Sequence, residues 1–193
     1  MRLGLQLKCD LTNVTDLNPN GQDFRWYVQP KCGNCGQDSS DFVYVCAAER
    51  VTLKGSRGDT NLAIRCKFCS RIGHVDVLTE TYSPYTADDS GKFKTVAVFE
   101  CRGVELIAFS SRIGWTAVGT ETKTFFGDIS LSDDNWCDYD ETGNCEVSIF
   151  NVESRFIKLK NAFSLSLVVG WYGSKINGPV TKALKPVTTN QFG

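Results

Sequence analysis

Residues 32–35 read Cys-Gly-Asn-Cys and residues 66–69 read Cys-Lys-Phe-Cys, so two C-x-x-C turns lie about thirty residues apart. Each turn places two thiolates on one side of a tight loop, and four thiolates at about 2.3 Å complete the tetrahedral shell of a structural zinc ion. Gly36 follows the first pair and accepts the positive φ that turns backbone N–H groups toward the sulfurs. Ser70 holds the same place after the second pair, which makes that turn the less favourable one. The pattern predicts a Zn²⁺ site with four ligands, Cys32, Cys35, Cys66 and Cys69.

Paired cysteines also serve in disulfides, redox centres and iron–sulfur clusters. A disulfide framework is typical of an oxidising compartment and an even cysteine count, whereas this chain has nine cysteines and residues 1–8 lack the apolar core of a secretory leader. A thioredoxin-type pair precedes a helix, and no helical pattern follows either turn. Iron–sulfur spacings are more compact. Zinc is therefore favoured, and a redox dithiol, a disulfide and an iron–sulfur cluster are the alternatives.

The rest of the chain has the pattern of a β protein. Short segments rich in Val, Phe, Tyr and Ile alternate with turn sequences, and no window keeps a period of 3.6 over three turns. This predicts an all-β fold class built from several small antiparallel sheets or partial β-barrels. The predicted strands cover residues 3–11, 24–28, 42–46, 61–66, 74–81, 93–101, 105–109, 114–119 and 147–158.

Two features suggest how these strands are organised. Both C-x-x-C turns follow a predicted strand, so the zinc joins two hairpin tips, and its four thiolates leave no coordination position for water or substrate. The metal is thus expected to be structural. In addition, residues 7–11 and 99–103 echo one another, each with a cysteine at the end of an alternating strand, which suggests an internal duplication.

Charged residues are distributed unequally along the chain. It has 193 residues with 21 basic and 22 acidic groups, and residues 161–193 hold three lysines and no acid. Residues 1–160 therefore carry 18 basic and 22 acidic groups, a net charge of −4, which is unlike the basic balance of a nucleic-acid-binding domain. We predict a zinc-binding all-β domain over residues 1–160. Residues 161–193 form an atypical C-terminal extension, for which disorder and an added docking strand are the alternatives.

The single histidine, His74, restricts most histidine-dependent catalysis to one position. It follows the second cysteine pair closely enough to replace a ligand or to donate to a sulfur, but a partly exposed strand residue is the favoured interpretation. No Gly-x-Ser-x-Gly elbow is present. Residues 54–58 lack the order of a phosphate-binding loop and read as a basic hairpin tip. These observations predict no catalytic residues and no enzymatic activity.

An acidic stretch over residues 128–153 holds eight carboxylates and neither Lys nor Arg. Part of it starts like a calcium loop, but Thr142 stands at the fifth ligand position and Ile149 at the twelfth, where a bidentate Glu is required. A solvated acidic loop is favoured, and an acidic partner-docking face is the alternative. Within this stretch Cys137 and Cys145 are predicted to be unreactive, with a second soft-metal site as the lesser alternative. Three further cysteines are expected in the core, Cys9, Cys46 and Cys101.

Several motifs together resemble the eukaryotic CXXC-motif-containing zinc-binding protein family. They include Asp-Phe-Arg-Trp-Tyr at residues 23–27 and Phe-Glu-Cys-Arg-Gly at 99–103, with further matching segments at 31–36, 53–58, 66–69, 93–95, 126–129 and 136–141. The resemblance covers about residues 1–158 and implies a small, intracellular, all-β protein with one zinc held by the two cysteine pairs. No enzymatic activity is established for that family. Its members end soon after the position of residues 156–158, so residues 161–193 depart from the pattern.

The predicted function is that of a non-enzymatic, zinc-binding protein that serves as an interaction or adaptor module. Its partner is expected to be another protein, with no membrane association and nucleic acid disfavoured by the acidity of the domain. We expect a cytoplasmic monomer, with the nucleus as an alternative location. Two other functions stay open: a chaperone-like metal handler that passes zinc or copper from its thiolates, and a thiol oxidoreductase. A zinc-ribbon nucleic-acid binder is a third, motivated by the basic residues near the cysteine turns.

Overall fold

The computed structural model describes residues 1–53 and 58–160. Within them lie fourteen strands and two short 3₁₀ turns, the latter at Thr79–Thr81 and Ala87–Asp89, so the predicted all-β class is confirmed. The strands are β1 (Arg2–Thr12), β2 (Val14–Pro19), β3 (Arg25–Cys32), β4 (Val43–Cys46), β5 (Val51–Thr52), β6 (Asp59–Thr60), β7 (Leu62–Arg65), β8 (Ile72–Leu78), β9 (Lys94–Arg102), β10 (Val104–Ser110), β11 (Ile113–Gly119), β12 (Phe125–Ser130), β13 (Trp136–Asp140) and β14 (Cys145–Leu159).

The predictions for residues 161–193 and for the hairpin tip at 54–57 lie outside the described residues, and the predicted domain boundary stays a prediction. No helix in the described ranges is long and apolar enough to cross a membrane.

The strands form three larger antiparallel sheets and one small hairpin. The largest sheet has six strands in the order β13-β14-β1-β9-β8-β7, and two three-stranded sheets have the orders β10-β3-β4 and β12-β11-β2. Strands β5 and β6 pair only with each other in the described ranges. The long central strand β1 alternates as its sequence predicts, because Leu3, Leu5 and Leu7 are all buried on its core side.

Strand pairing divides the described part into two halves with the same topology. Strands β1, β2, β3, β4, β7 and β8 correspond in order to β9, β10, β11, β12, β13 and β14, with the β5–β6 hairpin inserted in the first half. Under this correspondence the six-stranded sheet maps onto itself, and the sheet β10-β3-β4 maps onto β2-β11-β12. A pseudo-two-fold axis therefore relates the two halves, and the predicted internal duplication is confirmed.

The axis passes between β1 and β9, where Leu5 pairs with Ala97. Cys9 is the eighth residue of β1 and Cys101 is the eighth residue of β9, so the two echoing cysteines occupy equivalent positions. Both side chains are buried. Desolvation by burial raises the pKa of each thiol to about 12, which leaves both as small core residues, as expected.

One hydrophobic core serves both halves. Trp26 of β3 and Trp115 of β11, the corresponding strand, meet edge to face with ring centroids 5.9 Å apart. Phe99 of β9 packs on the Trp26 ring at 5.6 Å, and the Trp26 indole N–H donates to the hydroxyl of Tyr82 at 3.0 Å. Because these large rings come from both halves, neither half has a complete core of its own.

All nine predicted strands are present, but five further strands were not predicted from the sequence: β2, β5, β6, β12 and β13. The interpretation of residues 128–153 as an acidic loop is wrong, because β13 and β14 occupy much of this stretch. β13 is an edge strand that exposes most of its residues, so its sequence carries little of the apolar alternation that marks a buried strand. Its five residues adopt a strand because they pair in register with β14, although their local sequence pattern does not indicate one.

Candidate metal centre

The first cysteine turn closes the hairpin between β3 and β4. The Cys32 N–H donates to the carbonyl of Gln37 at 2.8 Å, and the Gly36 N–H donates to the carbonyl of Cys32 at 2.9 Å. Gly36 has a φ of 73°, the left-handed conformation expected for this position. These two bonds fold the segment so that both cysteine side chains of the turn face the same side.

The second cysteine turn closes the hairpin between β7 and β8 with the same bonding. The Cys66 N–H donates to the carbonyl of Arg71 at 2.8 Å, and the Ser70 N–H donates to the carbonyl of Cys66 at 3.0 Å. Ser70 has a φ of 59°, a conformation that costs a residue with a Cβ atom about 1–2 kcal/mol. The second turn is therefore the more strained one, as predicted.

The two turns bring four sulfurs to one point. The Sγ atoms of Cys32 and Cys69 are 3.6 Å apart, those of Cys35 and Cys66 are also 3.6 Å apart, and all four lie within 4.8 Å of one another. A tetrahedron with bonds of about 2.3 Å to zinc has sulfur–sulfur edges of about 3.8 Å, so the arrangement fits a Cys₄ zinc ion. A disulfide needs about 2.05 Å, and all nine cysteines are free thiols.

Backbone N–H groups of the turns stabilise thiolates at this site. Those of Cys35 and Asn34 point at Cys32 and lower the pKa of its thiol to about 6. The N–H of Arg71 lowers the pKa of Cys69. At Cys35 the N–H of Gln37 acts in the same direction, but desolvation and the neighbouring sulfurs outweigh it and raise the pKa to about 12. Because metals bind thiolates, a dication that enters this cluster releases the remaining protons.

Ion pairs surround the cluster at the protein surface. The ammonium of Lys31 pairs with Asp38 at 3.0 Å, and that of Lys67 pairs with Asp41 at 3.6 Å. Both pairs are well exposed and contribute little to stability by themselves. Three of the cysteines are half-buried, whereas Cys35 is exposed.

The remaining candidate residues lie apart from this centre. His74 is a half-buried residue of β8, paired with Ala63 and Arg102, and it is not a member of the metal-ligating cluster. The favoured strand interpretation of His74 is therefore confirmed. Cys137 lies in β13 and Cys145 begins β14, not in a loop as expected. Neither belongs to a group of three or more possible metal ligands in the described part of the chain.

The pseudo-two-fold axis reveals a second pair of hairpin tips that corresponds to the cysteine turns. In the β11–β12 hairpin, the Gly119 N–H donates to the carbonyl of Thr124 at 2.8 Å, and the Lys123 N–H donates to the carbonyl of Gly119 at 3.1 Å. This bonding matches the first cysteine turn, and Lys123 has the left-handed φ of 61° found at Gly36. Gly119 and Thr122 therefore stand where the first turn has its two cysteines.

The β13–β14 hairpin corresponds in the same way to the second cysteine turn. Asp140 pairs with Cys145 across the tip, and Asn144 has a φ of 49°, like Ser70 in the second cysteine turn. Asp140 and Gly143 thus occupy the two cysteine positions. A Cβ atom built on Gly143 would lie 3.3 Å from the Asp140 carboxylate and 3.0 Å from the Thr122 methyl group. The four positions converge as the four cysteines do.

Hydrogen bonds to Asp140 hold this second pair of tips together. The side chain is 2% exposed, and its carboxylate accepts from the hydroxyls of Thr122 and of Thr124, the latter at 2.9 Å. It also accepts from the N–H groups of Thr142 and Gly143 at 3.0 and 3.1 Å. The hydrogen bond from the Thr122 hydroxyl is the largest contribution that lowers the pKa of Asp140. Sequence reading placed Asp140 only in a failed calcium loop, because the threonines lie far from it along the chain.

These features define a structural class of β protein. Its two cysteine hairpins meet in a Cys₄ cluster, and an internal two-fold axis relates them to two hairpins without cysteines at the matching positions. The chain belongs to the eukaryotic family of CXXC motif containing zinc binding proteins, whose model matches residues 4–157. The family resemblance of the sequence is confirmed. Zn²⁺ is the cofactor that the family and the cysteine cluster indicate.

Relatives extend over the same region. A mouse CXXC motif containing zinc binding protein is 45% identical over 157 residues, which cover 81% of this chain and 98% of the mouse protein. A Xenopus laevis protein of the same name is 46% identical over 158 residues, covering 82% of this chain and 99% of its own.

Two solved structures are similar to this chain. The crystal structure of C1orf123 has a TM-score of 0.79 at 43% identity and covers 82% of this chain and 100% of its own. A hypothetical protein from Plasmodium falciparum has a TM-score of 0.72 at 25% identity, covering 81% of this chain and 99% of its own.

Proposed function

We propose that Cys32, Cys35, Cys66 and Cys69 bind one Zn²⁺ and that the metal shapes a surface for another protein. The chain acts in this proposal as a non-enzymatic adaptor module. The observation that carries it is the convergence of four sulfurs from two hairpin tips within 4.8 Å. Four thiolates complete the tetrahedral shell and leave no position at which water or substrate could be activated.

The proposal is tested by metal content and by partner capture with matched cysteine variants. Cys69→Ser removes a proposed ligand, whereas Cys137→Ser removes an exposed thiol outside the cluster. We expect one zinc per chain in the wild type and in Cys137→Ser, and loss of zinc from Cys69→Ser. Full zinc occupancy in Cys69→Ser contradicts the ligand assignment.

Proximity labelling in cells then addresses the adaptor role. The full chain and Cys137→Ser should label the same proteins, while Cys69→Ser should lose them because its surface is no longer held by the metal. An identical set of labelled proteins for all three chains contradicts an interaction surface that depends on zinc. We further propose a monomeric, cytoplasmic protein, with the nucleus as the alternative location, and sedimentation and imaging of the full chain check these two points.

Exposure of Cys35 favours one second candidate, a labile site that hands zinc or copper to a partner. A site that transfers its metal must open, so a chromogenic chelator should remove zinc from the folded protein within minutes. A clamp that is structural releases zinc only as the hairpin tips unfold. The chelation rate, compared with the rate of unfolding under the same conditions, distinguishes the two.

A further inference from the structure

A groove of about 460 Å³ lies directly beside the cysteine turns. Val43 of β4 and Ile64 of β7 line it, together with Val104 and the buried residue Gly73. Cys32 and Cys66, one from each turn, also contribute to its lining, as does Phe68, which is 79% exposed. The groove is thus apolar, open to solvent and bounded by the metal centre.

Two sheet edges border this groove. β4 is the outer strand of the sheet β10-β3-β4, and β7 is the outer strand of the six-stranded sheet. In the described ranges each has a strand neighbour on one side only. An edge strand offers unpaired backbone groups to which an extended peptide can add. The backbone geometry therefore suits an extended segment of polypeptide.

The other half of the molecule shows what fills the corresponding space. β12 and β13 are the counterparts of β4 and β7, and there the rings of Phe126 and Trp136 bridge the two strands with centroids 5.5 Å apart. Leu131, which follows β12, is fully buried. By the pairing of the two hairpins, Ser39 stands at the position of Phe126 and Leu62 at that of Trp136, and Ser39 lines the groove. The groove at Ser39 therefore corresponds to the space that the Phe126 ring occupies at the opposite end of the same fold.

Positive charge at the rim of the groove indicates a second feature of the molecule that binds there. Arg65 and Arg71 line the groove, and no carboxylate of the described residues forms an ion pair with either guanidinium. The two acidic residues of the lining are already paired with lysines. Guanidinium groups bind carboxylates through two parallel hydrogen bonds, so an acidic side chain matches this rim.

From these observations we propose that the groove binds an extended segment of a partner protein. The segment inserts an aromatic side chain between β4 and β7 and places a carboxylate beside Arg65 and Arg71. This inference rests on the proposed adaptor function and names the chemistry of the partner. Zinc matters to it because Cys32 and Cys66 lie in the wall of the groove.

A synthetic peptide tests this chemistry on the full-length, zinc-loaded protein. The probe is acetyl-Thr-Val-Trp-Glu-Val-Thr-amide, and the matched controls replace its Trp by Ala or its Glu by Gln. Titrations followed by NMR of the labelled protein should show shifts confined to β4, β7 and Phe68. We expect each control peptide to bind at least tenfold more weakly. Equal binding of the three peptides, shifts at another surface, or no binding at all overturns the proposal.

A variant that fills the groove provides an independent test. Ile64→Trp places a large ring in the lining of the groove, so it should abolish binding of the Trp peptide. Ile107→Trp places the same ring at an exposed position of β10 and should leave peptide binding unchanged. If Ile64→Trp binds the peptide as the wild type does, the groove is not the binding site.

Proximity labelling separates this inference from the proposed function. If the Ile64→Trp chain keeps its zinc and labels the same proteins as the wild type, the groove proposal is wrong while the zinc-dependent adaptor function stands. If zinc-free Cys69→Ser labels those proteins too, the adaptor function itself is contradicted. Loss of the labelled proteins from Ile64→Trp, with zinc retained, supports the groove.

Discussion

At the scale of single residues, the two cysteine turns depend on a left-handed position that follows each pair. Gly36 occupies it in the first turn and Ser70 in the second. An added Cβ atom at Gly36 would meet no atom within 4 Å, so its only cost there is conformational. Position 36 therefore isolates the backbone contribution to the metal centre.

Gly36→Ala should lower the free energy of unfolding by about 1 kcal/mol, because alanine disfavours the left-handed region. Urea unfolding of the zinc-loaded protein measures this change. Gly36→Asn is the matched control, since asparagine tolerates this conformation, and it should lose clearly less stability. Equal losses for alanine and asparagine would show that backbone conformation is not the cause.

Asp140 joins its two hairpin tips by hydrogen bonds, whereas the proposed zinc ion joins the two cysteine tips. Asp140→Ala removes all four hydrogen bonds and should lower the melting temperature by about 5 °C or more. Zinc content should stay at one per chain, because the cluster of cysteines lies at the other pair of tips. Calorimetry and metal analysis of the same sample check both results. A variant that loses zinc along with stability contradicts the separation of the two sites.

Acid stability depends on Asp89, at the end of the second 3₁₀ turn. Desolvation raises its pKa, but the Lys94 ammonium at 2.6 Å and the Thr86 hydroxyl outweigh this and lower the pKa from 3.8 to about 2. A depressed folded-state pKa stabilises the protein above the unfolded value, and this stabilisation is lost as pH falls toward about 2.

Asp89→Asn should therefore be less stable than the wild type at about pH 5, and the difference should shrink as pH falls to about 2. Melting temperatures of the two proteins across this range provide the measurement. Because acid also releases zinc from both proteins alike, the difference between them is the informative quantity. A difference that is constant with pH would assign its cause to something other than the ionised carboxylate.

At the scale of secondary-structure elements, the proposed zinc ion joins the β3–β4 and β7–β8 hairpins, while Asp140 joins the β11–β12 and β13–β14 hairpins. Zinc removal should thus loosen one end of the molecule only. Amide hydrogen exchange of the zinc-loaded and chelated proteins should show faster exchange at residues 32–37 and 66–71, with the protection at 119–124 and 140–145 retained. Equal loss of protection at both ends would contradict this division of labour.

Strands whose apolar residues alternate were predictable, whereas strands held mainly by their neighbours were not. The burial of Leu3, Leu5 and Leu7 in β1 follows directly from their period of two. β13 has no such pattern, and its strand conformation results from pairing with β14 at the sheet edge. The four cysteines of the metal centre were predictable because C-x-x-C is a local signal. Asp140, Thr122 and Thr124 were not, because their contact spans two hairpins.

At the scale of the whole molecule, the two halves share one core around Trp26 and Trp115. We expect a single cooperative unfolding transition of the zinc-loaded protein, with coincident curves from tryptophan fluorescence and far-ultraviolet circular dichroism. Two separated transitions would indicate that the halves are independent folding units. This cooperativity would also explain how a metal at one end can raise the stability of both halves.

The sequence alone determined the fold class, the cysteine ligands of the predicted zinc site and the first trace of the duplication at Cys9 and Cys101. These rest on local spacing and alternation, which neighbouring residues along the chain carry by themselves. Only the tertiary structure decided that the Asp140 carboxylate joins the second pair of hairpin tips and that a groove beside the cysteines lacks the rings found opposite. The physical reason is that both features depend on which edges and tips the antiparallel pairing brings together across long stretches of chain.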